Sequence, residues 1–412
     1  VRLFSPIMHL LISCILWATA KFTFGSNPGK IAALIWIFTP AASVGGFIIS
    51  TDTPLLFFWT LSLFFLLISL RQNSSLTSLL VGTFLGLAFL SKYAALYFLI
   101  FFIIWWTIYD RSKFLSLKNV FIILSTSTLI AGTNLYWNYL NDFATINHTI
   151  SNANLSEIIL NYNNVVDFLS SQFLVFGPLF FLIYLLIVID SFFKNRDITL
   201  LAMISFPIVF LITIQSFLKI ANANWAVTAY VGATLIISYY VTLKKNNILK
   251  KIFYLGLLLN ITLSAYILNI SITGSFYPLN LKSNPLRKNL GFENLSIKIQ
   301  KIFVEENISK IVFEKRGDIS RFNYYLSRDN KNLENKTFLK TVNLVPGNFY
   351  EANFNYDLIN KRKGEKILIV KNISNFENIT YNLDEIKLLK IISSKTVRNL
   401  ERTYYLYVGK IK

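Results

Sequence analysis

Residues 50–71 read STDTPLLFFWTLSLFFLLISLR. Positions 53–70 carry no charge, and the nearest charges are Asp52 before them and Arg71 after them. A helix needs about 20 apolar residues to cross a hydrocarbon core, so this stretch reads as a membrane span with one charge at each end. Working outward, comparable runs occupy 5–25, 30–49, 76–91, 93–109, 119–137, 166–190, 198–218, 224–243 and 252–271. The runs 76–91 and 93–109 are short and part only at Ser91-Lys92. They are either two spans joined by a tight turn or a partly re-entrant element, so the count is nine to ten spans.

The 412-residue chain is 54% hydrophobic and 15% charged, with a mean hydropathy of +0.51. A soluble chain would be about 25% charged. The deficit lies in residues 1–271, whereas 272–412 is rich in Lys, Asn and Glu. The expected fold is therefore a polytopic α-helical membrane domain over 1–271, followed by a small soluble α/β domain over 272–412. The net charge of +19 does not imply nucleic acid, because basic residues of membrane proteins collect in cytoplasmic loops. The one cysteine, Cys14, excludes an intramolecular disulfide and any multi-cysteine metal site.

Following the ten-span alternation, one side receives Lys21, Lys30, Arg71, Arg111, Lys113, Lys118, Lys194, Arg196, Lys244, Lys245, Lys250 and Lys251. The other side receives Arg2, Lys92 and Lys219, and its long loop 138–165 has no Lys or Arg. The basic side is expected to be cytoplasmic. Loop 138–165 and residues 272–412 would then be periplasmic, with the spans in the inner membrane.

This bookkeeping gathers the polar residues that a bilayer does not explain at the outer face: Asp52, Lys92, His148 and Lys219. Asp52 precedes Thr53-Pro54, where Thr51 or Asp52 could cap a helix opened by Pro54. Equally, it could be a carboxylate kept near lipid for function. Lys92 could snorkel to headgroups or bind an anion. Lys219 opens Lys219-Ile220-Ala221-Asn222-Ala223-Asn224-Trp225, where a cation and amides crowd one short loop, and Tyr230 follows within two helical turns. Asn138 begins an Asn-rich outer loop, and His148 within it is either a surface histidine or a metal ligand. Cations hold phosphate and amides bind hydroxyls, so this set suits a phosphate head on a lipid tail. A carboxylate among them orients a metal or takes a proton.

These segments resemble bacterial integral-membrane GT-C glycosyltransferases of the dolichyl-phosphate-mannose protein mannosyltransferase and aminoarabinose transferase type. The resemblance rests on Ser50-Thr51-Asp52-Thr53-Pro54 through Trp59, on Phe89-Leu90-Ser91-Lys92-Tyr93, and on Trp137-Asn138 with Asn141, Phe143 and His148. It continues in Phe176-Gly177-Pro178, in residues 219–230 (KIANANWAVTAY), and in Asn284-Pro285 with Arg287, Gly291 and Phe292. It implies a GT-C fold, a polyprenyl-phosphate sugar donor, transfer at the outer face of the membrane, and a lipid, protein or glycan acceptor. By motif, Asp52 would be the acidic residue near the donor phosphate or a divalent metal ion. Lys92, Lys219 and Tyr230 would lie at the phosphate, with Asn138, Asn222 and Asn224 lining the substrate, and His148 would be a loop metal ligand. The family also carries an Asp-Glu motif in its first outer loop, whose Asp is the usual base. Residues 1–4 look like the chain just downstream of that loop, so the helix and loop are expected upstream of Val1.

In the tail, 292–306 has helical spacing, 310–314 reads as a strand, 318–327 as a short helix, and 366–371 and 403–409 as strands. Lys361-Arg362-Lys363-Gly364 reads as a solvated turn. An alternative function, a transporter or flippase for a polyprenyl-linked substrate, would place charges near mid-bilayer and show paired halves with broken helices. The polar residues instead gather at one face, and no internal repeat is visible.

Overall fold

The computed structural model describes residues 3–110, 113–153, 160–244, 246–273, 290–308, 310–313, 315–329, 337–339, 364–372, 383–395 and 401–411. The chain divides into two compact units, one of residues 1–141 with 153–268, the other of residues 142–152 with 269–412.

The first unit is helical. Its elements are α1 (Phe4–Phe24), α2 (Ser26–Ile37), α3 (Pro40–Phe47), α4 (Asp52–Gln72), α5 (Ser75–Ser91), α6 (Leu96–Trp105) and α7 (Leu117–Leu140). After α8 (Ala144–Ala153), which groups with the second unit, come α9 (Tyr162–Val175), α10 (Pro178–Ser191), α11 (Arg196–Met203), α12 (Phe206–Leu218), α13 (Ala229–Leu243) and α14 (Asn247–Thr273). Among the described residues, six helices are long and apolar enough to cross a membrane, and eight if each bent pair is one span; α5 and α13 are shorter and apolar. The chain is a multi-pass membrane protein.

Two expectations about the spans are sharpened. Runs 76–91 and 93–109 are separate helices: Lys92 is fully extended (φ −165°, ψ 138°), and a 3-10 turn at Tyr93–Ala95 opens the next helix. The run 166–190, expected as one span, is two helices meeting at 108°. Gly177 makes the bend. Its φ of +102° suits glycine, and a Cβ there would run into the carboxamide of Asn260. Pro178 then starts α10 at its first position, where no backbone N–H is missed. With no side chain at 177, α9 turns back over the ends of α12 and α13; Asn161 N–H reaches the Phe217 carbonyl at 2.9 Å.

Helix α4 illustrates how sequence becomes local structure. Asp52 lies in its first turn and Arg71 in its last, each favourable to the helix dipole, and Asn73 ends it in the left-handed region (φ 46°). At that end, Arg71 pairs with Asp197 at 2.6 Å, Arg196 donates to the Leu70 carbonyl, and Asn119 donates to the Asn73 carbonyl. These bonds pin α4, α7 and α11 together. Along α5, Gly82 and Gly86 let α7 approach its backbone at Ile123 and Ser127, the small-residue contact usual between membrane helices. That close packing carries α7 up to Tyr93.

The second unit holds α15 (Phe292–Glu305), α16 (Arg316–Asp329) and a mixed sheet of β1 (Lys310–Phe313), β2 (Thr337–Leu339), β3 (Lys366–Lys371), β4 (Leu383–Lys395) and β5 (Glu401–Ile411), in the order β2-β1-β3-β5-β4. Strand β1 is parallel to β2 and β3, and β5 is antiparallel to β3 and β4. Phe292, Leu295 and Ile299 of α15 and Phe322 of α16 close a core over Phe313, Leu368, Tyr404 and Leu406. The expected small α/β domain is present, and the helices and strands anticipated at 292–306, 310–314, 318–327, 366–371 and 403–409 all form. The three-residue β2 and the long β4 are not among the strands expected from sequence; in β4 there is a reason. Register shifts at Asp384/Lys387 and Leu388/Lys390 break the period-two alternation that announces a strand. Gly364 is a turn with φ +83°; Lys361, Arg362, Lys363, Asn284, Pro285 and Arg287 lie outside the described residues.

Candidate active site

Lys92 and Lys219 occupy matching places. Each is the extended residue just past a helix, α5 for Lys92 and α12 for Lys219. A cation there lies against the helix's negative end. A short 3-10 turn follows each, Tyr93–Ala95 directly and Ala223–Ala226 four residues on. Earlier in the chain, Asp52 opens α4.

Three of the expected residues meet. The Lys92 ammonium lies 2.6 Å from Asp52 Oδ1, and the Asn224 amide nitrogen donates to Asp52 Oδ2 at 2.6 Å. The side chains of Lys92 and Asp52 are 28% and 16% exposed, neither buried nor free in water. An ion pair in that position is well held yet still reachable by a competing anion. The capping alternative for Asp52 fails. Thr51 is the N-cap and makes no side-chain cap bond, while Asp52's own N–H is taken by Ser50 Oγ at 3.2 Å. Both carboxylate oxygens are taken by residues outside α4.

The remaining residues divide. Asn138 is fully buried; its amide nitrogen donates to Tyr93 OH (3.2 Å), to the Asn134 carbonyl (3.0 Å) and to Asn134 Oδ1 (3.1 Å). Tyr93 OH in turn donates to Asn134 Oδ1 at 2.8 Å. This cluster holds Tyr93, the residue next to Lys92. Tyr230 is likewise buried: its hydroxyl donates to Gln172 Oε1 at 2.6 Å and its ring stacks on Phe176 at 4.4 Å. Lys219 is half-buried and Asn222 exposed, and neither side chain has a hydrogen-bond partner among the described residues. They are the open cation and amide of the loop. Asn134 and Gln172 were not singled out from sequence. Their one signal is an amide within a helix, where burial makes unpaired polarity costly.

Among the described residues no three His, Cys, Asp or Glu side chains gather, and Asp52 already holds an ammonium and an amide. The His148 side chain lies outside the described residues.

Comparison with known proteins bears on this arrangement. Residues 1–137 match the family described as dolichyl-phosphate-mannose-protein mannosyltransferase. ArnT from Cupriavidus metallidurans in the apo state superposes with a TM-score of 0.59 at 12% identity, over 98% of this chain and 83% of that one. The chain has the ArnT fold. The same protein bound to undecaprenyl phosphate gives 0.60 at 11% identity, over 98% and 82%. Lipid A galacturonosyltransferase RgtD of Rhizobium johnstonii is 32% identical over 246 residues, which are 59% of this chain and 52% of the relative. The chain thus spans about half the length of that curated relative. The resemblance drawn from the motifs holds: family match, relative and ArnT fold all point to a GT-C architecture of the ArnT type.

Proposed function

We propose that the protein transfers a sugar from a polyprenyl-phosphate donor to a lipid acceptor at the periplasmic face of the inner membrane. The observation that carries this is the Asp52–Lys92–Asn224 contact, with Lys219 five residues before Asn224 in the chain. The ArnT fold, seen elsewhere with undecaprenyl phosphate bound, supports the donor. The relative named as a lipid A galacturonosyltransferase supports a lipid acceptor.

The chemistry follows from charge. A donor phosphodiester carries about one negative charge, and the leaving polyprenyl phosphate carries about 1.5 to 2. The acceptor oxygen bonds to the anomeric carbon, the carbon–oxygen bond to phosphate breaks, and the hydroxyl proton passes to a carboxylate base. Negative charge therefore grows on the phosphate as the bond breaks. Cations placed there bind the transition state better than the ground state, which is what accelerates a reaction. Lys92 can exchange Asp52 for phosphate without leaving its place, and Lys219 offers the second cation. Asp52 keeps Lys92 and Asn224 in register, and Asn222 and Asn224 are placed for sugar hydroxyls.

The test is donor binding and transfer by the full chain in proteoliposomes. Saturable binding of undecaprenyl phosphate, with sugar appearing on a lipid acceptor, is expected. Flipping of the donor across the bilayer without transfer would favour the transporter reading. Absence of both binding and transfer would overturn the proposal.

A further inference from the structure

We infer that Gln172 is a positioning residue that sets where Asn224 meets Asp52; the inference rests on the proposed function for its consequence, though not for its geometry. Gln172 is fully buried in α9. Its carboxamide does two different jobs. The nitrogen donates to the Ala223 carbonyl at 3.2 Å, as well as to the Phe168 carbonyl and Ser171 Oγ, and the oxygen accepts the Tyr230 hydroxyl at 2.6 Å. One side chain thereby ties together both ends of the segment 223–230, and Asn224 lies inside that segment.

The reason this sets a register is the cost of burying an unsatisfied amide. Away from water, each donor or acceptor of Gln172 must find a partner in the protein. Sliding the 3-10 turn at Ala223–Ala226 would part the Ala223 carbonyl from the amide nitrogen, and rotating α13 would strand the amide oxygen. The turn is further closed by its own bonds, Trp225 N–H to Asn222 carbonyl and Val227 N–H to Asn224 carbonyl. Asn224 is itself exposed and would otherwise be free to move. The 108° bend at Gly177 is what lays Gln172 over this segment, and Phe176 stacked on Tyr230 holds the bend against α13. The site needs a glutamine there. A glutamate would present a second acceptor to the Ala223 carbonyl, and a leucine would leave Tyr230 OH and the carbonyl unpaired.

The experiment has two readouts on the full chain. Hydrogen exchange in nanodiscs reports position: in Gln172→Leu, amides of 221–231 should exchange at least tenfold faster, while α4 and α10 are unchanged. Tyr230→Phe, which removes one of the two ties and keeps the packing, should give a smaller change in the same segment and serves if the Leu variant fails to fold. Transfer kinetics report consequence through a double-mutant cycle. Gln172→Leu should lower kcat/KM about tenfold, and the pair Gln172→Leu with Asn224→Ala should be no slower than Asn224→Ala alone, because Gln172 acts through Asn224. Unchanged exchange in 221–231, or losses that multiply in the double variant, would overturn the inference. A wild-type protein that transfers no sugar would instead sink the functional reading, with the exchange result still deciding the role of Gln172.

Discussion

Lys92 and Asp52, forty residues apart in sequence, meet as an ion pair at 2.6 Å at the mouth of α4. Neither has another charged partner among the described residues, and the second carboxylate oxygen belongs to Asn224. The pair is preassembled, with the ammonium fixed in place by the carboxylate.

If this pair is functional, Asp52→Asn should insert and fold normally, because Thr51 and not Asp52 is the N-cap. An amide cannot hold an ammonium as a carboxylate does. A charge-assisted contact contributes about 1.5–3 kcal/mol, so sugar transfer should fall roughly tenfold to a hundredfold. Full transfer by the Asn variant at unchanged thermal stability would remove Asp52 from the site.

The two lysines should both be felt in binding. Lys92→Ala and Lys219→Ala should each weaken undecaprenyl phosphate binding roughly tenfold or more, measured by native mass spectrometry or quenching of Trp225. The loss should shrink as salt rises for Lys219, whose charge has no partner among the described residues, because screening already weakens that contact. Donor affinity unchanged in both variants would mean the phosphate lies elsewhere.

Gly177 should tolerate no side chain. Gly177→Ala combines a left-handed backbone position with a collision at Asn260, so a loss on the order of 2–4 kcal/mol is expected. Adding Asn260→Gly should recover the part due to the collision and leave the part due to φ. Thermal unfolding of the three proteins in detergent measures this; equal stability of wild type and Gly177→Ala would refute it.

Burial holds the Asp318 carboxyl above its ordinary 3.8, even though it accepts a bond from Tyr404 and lies near Arg321. A folded pKa above the unfolded one means the protonated form favours folding. That contribution is complete below 3.8 and fades as pH rises through the folded value. Asp318→Asn, neutral throughout, should flatten this dependence. Exchange protection of β1 and α16, followed from about pH 4 upward, is the check; identical slopes in both proteins would count against it.

Orientation can be read with an impermeant thiol reagent in a Cys14→Ser background. Asn163→Cys and Lys301→Cys, both at exposed positions, should react in intact cells. Asn246→Cys, exposed on the basic side, should react only after lysis. The reverse pattern would invert the topology.

What sequence alone supplied follows from patterns that are local in the chain. Runs of about 20 apolar residues set the spans, because a bilayer leaves an uncharged helix no other place. Spacing gave the helices and most strands of the tail, and the motifs around Asp52, Lys92 and residues 219–230 gave the family resemblance. The bulged strand β4 escaped because its alternation is interrupted. The tertiary structure decided which polar side chains are taken up by their neighbours. Tyr230 and Asn138 looked like ligand contacts in sequence, yet their polar groups are taken by Gln172 and by Tyr93 with Asn134. A buried polar atom must find a partner, and across 58 or 45 residues of chain no local pattern can say which one. The bend at Gly177 and the contact between Lys92 and Asp52 are of the same kind: each depends on where distant helices come to rest.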